Sequence, residues 1–254
     1  MSAADVAIGI AIGLVSGILS GLFGVGGGIV MTPGIQVLLG APPIVALATP
    51  LPVIFPTALT GALSYRRRGE IDVHAVAWLV GPGIVGAALG AWLTGSIDTT
   101  LLLIVTAVLL GWQAIAILRK RERNTAARPA TAPILGGIGA LAGLVSGLLG
   151  IGGGLVIVPL LAGWLGMPLK RALGTSLLAI TALVVPGTVV HAALGHLDLG
   201  IGLALVIGAV PGARLGAAIA LGARERTLRI VVGSGLLVVA IAYAIQQTAE
   251  MLDN

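Results

Sequence analysis

Two glycine runs, Gly24-Val25-Gly26-Gly27-Gly28 and Gly150-Ile151-Gly152-Gly153-Gly154, are the stretches of this 254-residue chain best suited to hold a ligand. Each joins the end of one apolar segment to the start of another, where a missing Cβ lets the backbone turn sharply and come close to a bound group. A helix that begins there presents N–H groups without intrahelical partners and the positive end of its dipole, which together favour an anion. Glycines of this kind also serve close helix packing. Two runs in matching positions, each followed five residues later by a proline (Pro33 and Pro159), point to binding. The expected contacts are Gly26, Gly27, Gly28, Gly152, Gly153 and Gly154.

Hydroxyls and one cation extend this set. Thr49 and Thr175, the latter followed by Ser176, stand at matching places in the chain, and a hydroxyl donates to an oxyanion without adding charge. A threonine in a membrane helix also bonds its own i−4 carbonyl. Thr57, Thr60 and Gln36 are further polar groups in apolar surroundings. Arg214 is the one basic residue deep inside an apolar segment, ten positions before Arg224, and acidic residues stand only at segment ends, so none is placed to pair with it. An arginine at that depth is costly and marks a function or a satisfied pair. It is a candidate charge partner for an anionic substrate, with carbonyls freed at Pro211 as the alternative. His74, His191 and His196 fall near segment ends, where access to water accounts for them, although an imidazole there also suits a coupling proton.

Other chemistries find no residues. There is no carboxylate pair, no HExxH, no Walker-type lysine loop and no His cluster with ligand spacing, so neither enzymatic catalysis, ATP-driven transport, a metal nor a cofactor is expected. A cation carrier would want an acidic residue in the membrane, and none is evident. An anion is favoured, moved by a proton, by the membrane potential or by plain facilitated flow.

The elements that must position these groups follow from composition. The chain is 57% hydrophobic and only 9% charged, with a mean hydropathy of +1.13. A soluble domain carries about a quarter charged residues, so the solvent of this chain is lipid. The absence of Cys excludes a disulfide scaffold, and the placement of the basic residues excludes a nucleic-acid partner. The 40 Gly and 13 Pro point to close helix packing and broken helices.

The chain is also a duplication. Ser20–Pro33 (SGLFGVGGGIVMTP) recurs as Ser146–Pro159 (SGLLGIGGGLVIVP) at an offset of 126, and 28 of 75 positions are identical between 17–91 and 143–217 without a gap. Apolar stretches give five segments per half, about 5–23, 28–40, 44–65, 72–95 and 99–118, then 133–149, 154–167, 172–194, 199–221 and 227–248. The expected division is a first repeat over 1–118, a linker over 119–132 and a second repeat over 133–254. The second segment of each half is too short to cross a bilayer and is expected to be short or re-entrant.

With the N-terminus outside and every segment changing side, all Lys and Arg except Arg214 fall in inner loops, while Asp5, Asp98, Asp198, Glu250 and Asp253 fall outside. Both termini are then expected outside, in a multi-pass protein of the cell membrane. The basic loop Arg66–Arg68 aligns with the uncharged 192–194, and Lys170–Arg171 with the uncharged 44–45, as two inverted copies require. The expected fold is all-α and polytopic, two inverted-topology repeats of about five segments each. Such repeats recur in transporters with a binding site near midplane.

The duplicated S-G-L-x-G-[VI]-G-G-G-x-x-x-x-P motif, the Leu173-Gly174-Thr175-Ser176-Leu177 stretch and the Gly69/Asp72 and Gly195/Asp198 loops resemble the sulfite exporter (TauE/SafE) family over about residues 8–246. The resemblance implies a secondary transporter of small sulfur-containing anions, sulfite or organosulfonates such as sulfoacetate, working by alternating access. It implies that Gly26–Gly28, Gly152–Gly154 and Thr175–Ser176 line the anion path. The first half departs from the pattern, with Ala48-Thr49-Pro50 in place of Gly174-Thr175-Ser176. An anion channel and a non-transporting membrane scaffold subunit are the alternatives. The expected partners are a small anion and the bilayer. Glycine-rich faces suit internal packing and a homo-oligomer equally.

Overall fold

The computed structural model describes residues 2–94, 97, 99–119 and 130–252. The linker residues 120–129, Asp98 and Asp253, and the side chain of Glu250, lie outside the described residues. The described chain is helical, without a strand. Its elements are α1 (Ala3–Phe23), α2 (Gly28–Leu38), α3 (Pro43–Ala48), α4 (Pro50–Arg66), α5 (Val73–Thr94), α6 (Thr99–Arg119), α7 (Ala132–Leu149), α8 (Gly154–Val158), α9 (Leu169–Ala193), α10 (Leu199–Gly222) and α11 (Glu225–Leu252).

Six stretches among the described residues are long and apolar enough to cross a membrane: α1, α3 with α4, α5, α7, α9 and α10. α2 is only 11 residues long, and so is the stretch Gly154–Trp164. At 1.5 Å per residue each reaches about 16 Å, half a hydrocarbon core. The third apolar segment differs from its expected continuous form. It breaks into α3 and α4 at Thr49, where Pro50 follows with no N–H to carry the ladder on. After α8, residues Pro159–Trp164 widen into a π-turn, with Leu165 N–H donating to Leu160 C=O at 2.9 Å. Pro159 opens that turn, and its missing donor is what loosens the ladder there. Pro82 and Pro211, by contrast, lie within unbroken α5 and α10.

Glycine spacing dictates the main helix pairs. Gly13, Gly17 and Gly21 of α1 lie on the carbonyls of Leu205, Ala209 and Ala213 of α10, while Gly208, Gly212 and Gly216 of α10 lie on those of Ile10, Leu14 and Ile18. Contacts that climb together mean parallel helices with their backbones in touch, which only glycine at every fourth residue allows. The same zipper joins α7 and α5: Gly139, Gly143 and Gly147 meet the carbonyls of Leu79, Gly83 and Ala87, and Gly86 and Gly90 meet those of Ala140 and Leu144. Every one of these contacts maps onto one in the first zipper by the offset of 126. The halves are therefore interleaved, the first helix of each packing on the last-but-one helix of the other.

The polar turns sort onto two faces. On one, Lys170 Nζ donates to Leu221 C=O at 2.8 Å, Leu169 N–H donates to Glu225 Oε1 at 2.9 Å, and Arg171 pairs with Asp72 at 3.4 Å. These contacts gather the turn after Arg66–Arg68, the start of α9 and the α10–α11 junction. On the other face, Asp5, Leu39, Ala41, Pro42 and Leu197–Leu199 line an open depression of about 620 Å³. Between the faces, exposed apolar side chains such as Trp92, Leu203, Ile207 and Val189 form the outer wall.

Candidate anion site

α1 ends at Gly24, whose left-handed φ of 69° lets its N–H cap the helix on Ser20 C=O at 2.9 Å. Gly26 and Gly27 also take positive φ, 89° and 88°, and the chain turns back into α2 alongside α1. Gly150, Gly152 and Gly153 repeat this at the end of α7, with φ of 66°, 92° and 78°. A side chain at any of these six would be strained whatever space it found.

The two loops cross at the centre of the protein. A Cβ on Gly28 would stand 2.8 Å from Gly150 C=O, and one on Gly154 2.5 Å from Gly24 C=O. The loops thus lie antiparallel, with Gly26 and Gly152 at the crossing. Ile54 of α4 and Ile180 of α9, equivalent residues of the two halves, both close over that crossing and are fully buried. All six predicted glycines are buried, and the structure brings them together in one place.

The chemistry of the crossing is that of neutral donors. Among the described residues, the loop hydrogen bonds do not use the N–H of Gly26, Gly27, Gly152 or Gly153. Val30 and Val156 N–H return to the Gly27 and Gly153 carbonyls, starting the two short helices. Some carbonyls around the crossing are engaged: Ser16 Oγ donates to Gly27, Ser176 Oγ to Gly24 at 2.8 Å and, a turn back along α1, Tyr65 Oη to Gly21 at 2.9 Å. Unpaired glycine donors are what suits this crossing to an anion.

The remaining predicted residues go elsewhere, except Ser176. Thr175 Oγ1 accepts from Asp72 N–H at 2.9 Å, near the basic face, and Thr49 Oγ1 accepts from Asp198 N–H at 3.1 Å, near the opposite one. Asp72 and Asp198 each cap the next helix through Oδ1, on Ala75 N–H at 3.1 Å and Ile201 N–H at 2.9 Å. These threonine hydroxyls tie the two halves together instead of bonding the glycine loops. Arg214 lies exposed on α10, beside exposed Leu215 and apart from the loops. Thr57 and Thr60 bond their own i−4 carbonyls at 2.7 Å. His191 is buried and its Nδ1 lies 3.1 Å from His196 Nδ1.

Sequence reasoning passed over two residues of the site. Ser20 and Ser146, one turn before each glycine run, are fully buried, and their hydroxyls find no partner among the described residues. The available signal was their identity in both copies of the repeat.

Long apolar helices, short half-length helices and a buried crossing of two glycine loops define a multi-pass membrane protein. Its particular kind is given by a model of the sulfite exporter TauE/SafE family, which matches residues 9–243; the chain belongs to that family. It is 30% identical over 225 residues to a probable membrane transporter protein, YunE, of Bacillus subtilis strain 168, covering 78% of this chain and 82% of the relative. It is 28% identical over 229 residues to a probable membrane transporter protein of Xylella fastidiosa strain 9a5c, covering 87% of each. A second Bacillus subtilis relative, the probable membrane transporter protein YdhB, is 31% identical over 203 residues, covering 76% of this chain and 82% of its own. No solved structure matches.

Proposed function

We propose that the chain is a secondary transporter of a small sulfur-containing oxyanion, sulfite or an organosulfonate such as sulfoacetate, that binds it at the crossing of the two glycine loops. The observation that carries this reading is the pair of buried loops, equivalent in the two halves, whose glycine N–H groups face no internal acceptor. Family membership and the names of the relatives support transport as the activity.

In this reading the two halves are inverted copies, and alternating access comes from parting the loops toward one face and then the other. The contacts that must break are the ones that differ between the faces: Thr175 with Asp72 on the basic side, Thr49 with Asp198 on the other. Basic loops mark the cytoplasmic face, so both termini lie outside the cell membrane. Ser176, bonded to Gly24 C=O, moves with the crossing and is placed to release that carbonyl or turn its hydroxyl to the anion. Arg214 stands off the path.

The test is uptake by purified protein in liposomes. Labelled sulfite and sulfoacetate should enter saturably, with counter-flow stimulation, against sulfate and chloride as controls. Flux that does not saturate and shows no counter-flow would make the chain a channel. Folded, inserted protein that moves none of the four would overturn the reading and leave a scaffold role.

A further inference from the structure

Only three polar residues are identical in both copies of the repeat over 17–91 and 143–217: Ser20 with Ser146, Thr49 with Thr175, and Asp72 with Asp198. The threonines and aspartates account for one another, since each threonine hydroxyl accepts the N–H of the aspartate of the opposite half. The serines have no such reason. Both are fully buried and both hydroxyls are unpartnered among the described residues. A buried hydroxyl without a partner destabilises its protein, and alanine fits the same space in a helix. The cost is borne twice, at equivalent positions.

Both hydroxyls also sit against the glycine loops. Ser20 Cβ is 3.4 Å from where a Cβ on Gly27 would stand, and Ser146 Cβ is 3.4 Å from that of Gly153. Gly27 and Gly153 are the residues from which the two short helices start, Gly28–Leu38 and Gly154–Trp164. Each loop therefore curls over its own serine, at the glycine whose N–H is itself unused. No Lys, Arg, Asp or Glu is among the buried side chains of the described residues. A ligand here meets no charged side chain of the protein.

We infer that Ser20 and Ser146 are the hydroxyl donors of the anion site, and that the site takes a singly charged oxyanion group of the sulfonate type. This rests on the transport reading above and adds its side-chain donors and its charge class. The charge limit follows from desolvation, whose cost grows with the square of the charge, whereas neutral donors return only a hydrogen bond each. A singly charged head with several oxygens, hydrogen sulfite or the sulfonate end of sulfoacetate, can use both hydroxyls and the glycine N–H groups; a doubly charged head such as sulfate would need a cation that the crossing lacks.

The test uses the purified full-length protein, with methanesulfonate and sulfate as probes. Methanesulfonate should raise the Tm of the wild type and compete with uptake, and sulfate should do neither at the same concentration. Ser20→Ala and Ser146→Ala should each weaken methanesulfonate binding about tenfold, the worth of one hydrogen bond to a charged group. Their ligand-free Tm should be equal to or above that of the wild type, because an unpartnered hydroxyl is gone. Ser20→Cys, in a chain with no other cysteine, gives a second readout: methanesulfonate should slow its modification by a small thiol reagent.

Unchanged affinity in both alanine variants, beside a wild type that binds and transports, would overturn the serine assignment and leave the transport reading standing. Equal response to sulfate would overturn the charge class. A wild type that neither binds nor transports any anion would overturn the reading and this inference with it.

Discussion

Asp72 N–H donates to Thr175 Oγ1 at 2.9 Å across the two halves of the chain, and 126 residues on, Asp198 N–H makes the same bond to Thr49 Oγ1 at 3.1 Å. One bond lies at the basic face and the other at the opposite face, so each is a tie between the halves at one face of the protein. The two ends are unequal. Asp72 also pairs with Arg171 at 3.4 Å, while the residue equivalent to Arg171 is Val45, which lines the open depression with Asp198. Among the described residues, the basic end carries an ion pair between the halves.

Thr175→Val keeps the shape of the side chain and removes the acceptor of Asp72 N–H. A backbone donor left unpaired there costs about 1–3 kcal/mol, so Tm in detergent should fall. The Km of the transported anion should change little, because the hydroxyl does not touch the glycine crossing. A Thr175→Val protein with wild-type Tm and a strongly raised Km would place this threonine in the binding site instead.

Two glycines of α7, two residues apart, should respond oppositely to alanine. A Cβ on Gly139 would overlap the carbonyl of Leu79, whereas one on Gly137 meets nothing within 4 Å. Gly139→Ala must push α7 off α5 and should cost at least about 1–3 kcal/mol. Gly137→Ala should be neutral or gain up to about 1 kcal/mol of helix propensity. The yield of monodisperse protein and its Tm would show the contrast, and equal behaviour would mean that the α5–α7 contact is looser than described.

Much of this architecture was legible in the chain. The repeat, the half-length second segments and the glycine runs are matters of spacing, and local backbone physics ties spacing to structure: only glycine allows a φ near 90° at Gly26 and Gly152. That the loops would cross each other depended on how the halves interleave, which the four-residue glycine spacing permits without choosing a partner. Arg214 was harder to place. α10 is apolar on all sides because lipid and protein core are both apolar, so no periodicity tells which side an arginine faces. The hydroxyls were misleading for a related reason. Thr49, Thr175, Ser20 and Ser146 look alike in sequence, and only the folded chain shows that the threonines have partners and the serines have none.

Arg214→Gln should leave transport nearly untouched. The side chain is exposed on α10 and makes no contact with the loops, so Km should stay within about twofold of wild type. Gly27→Ala should abolish binding, because it forces an L side chain to a φ of 88° and places a Cβ 2.9 Å from Ser16 Oγ. Ligand-induced shifts in Tm measured on both variants would separate them. A large loss in Arg214→Gln alone would move the anion path to the outer side of α10.

The absence of cysteine makes sidedness directly measurable. Arg67 lies in the turn after α4 and Leu199, 74% exposed, begins α10 at the opposite face. Arg224, at the α10–α11 junction, shares the face of Arg67. In right-side-out vesicles a membrane-impermeant maleimide should label Leu199→Cys and spare both Arg67→Cys and Arg224→Cys; in inverted vesicles the pattern should reverse. Joint labelling of Arg67→Cys and Arg224→Cys follows from an even number of crossings between them, independently of which face is cytoplasmic. Labelling of Arg67→Cys and Leu199→Cys from one side would break the two-faced arrangement, and with it any mechanism in which the Thr175 and Thr49 ties guard opposite mouths.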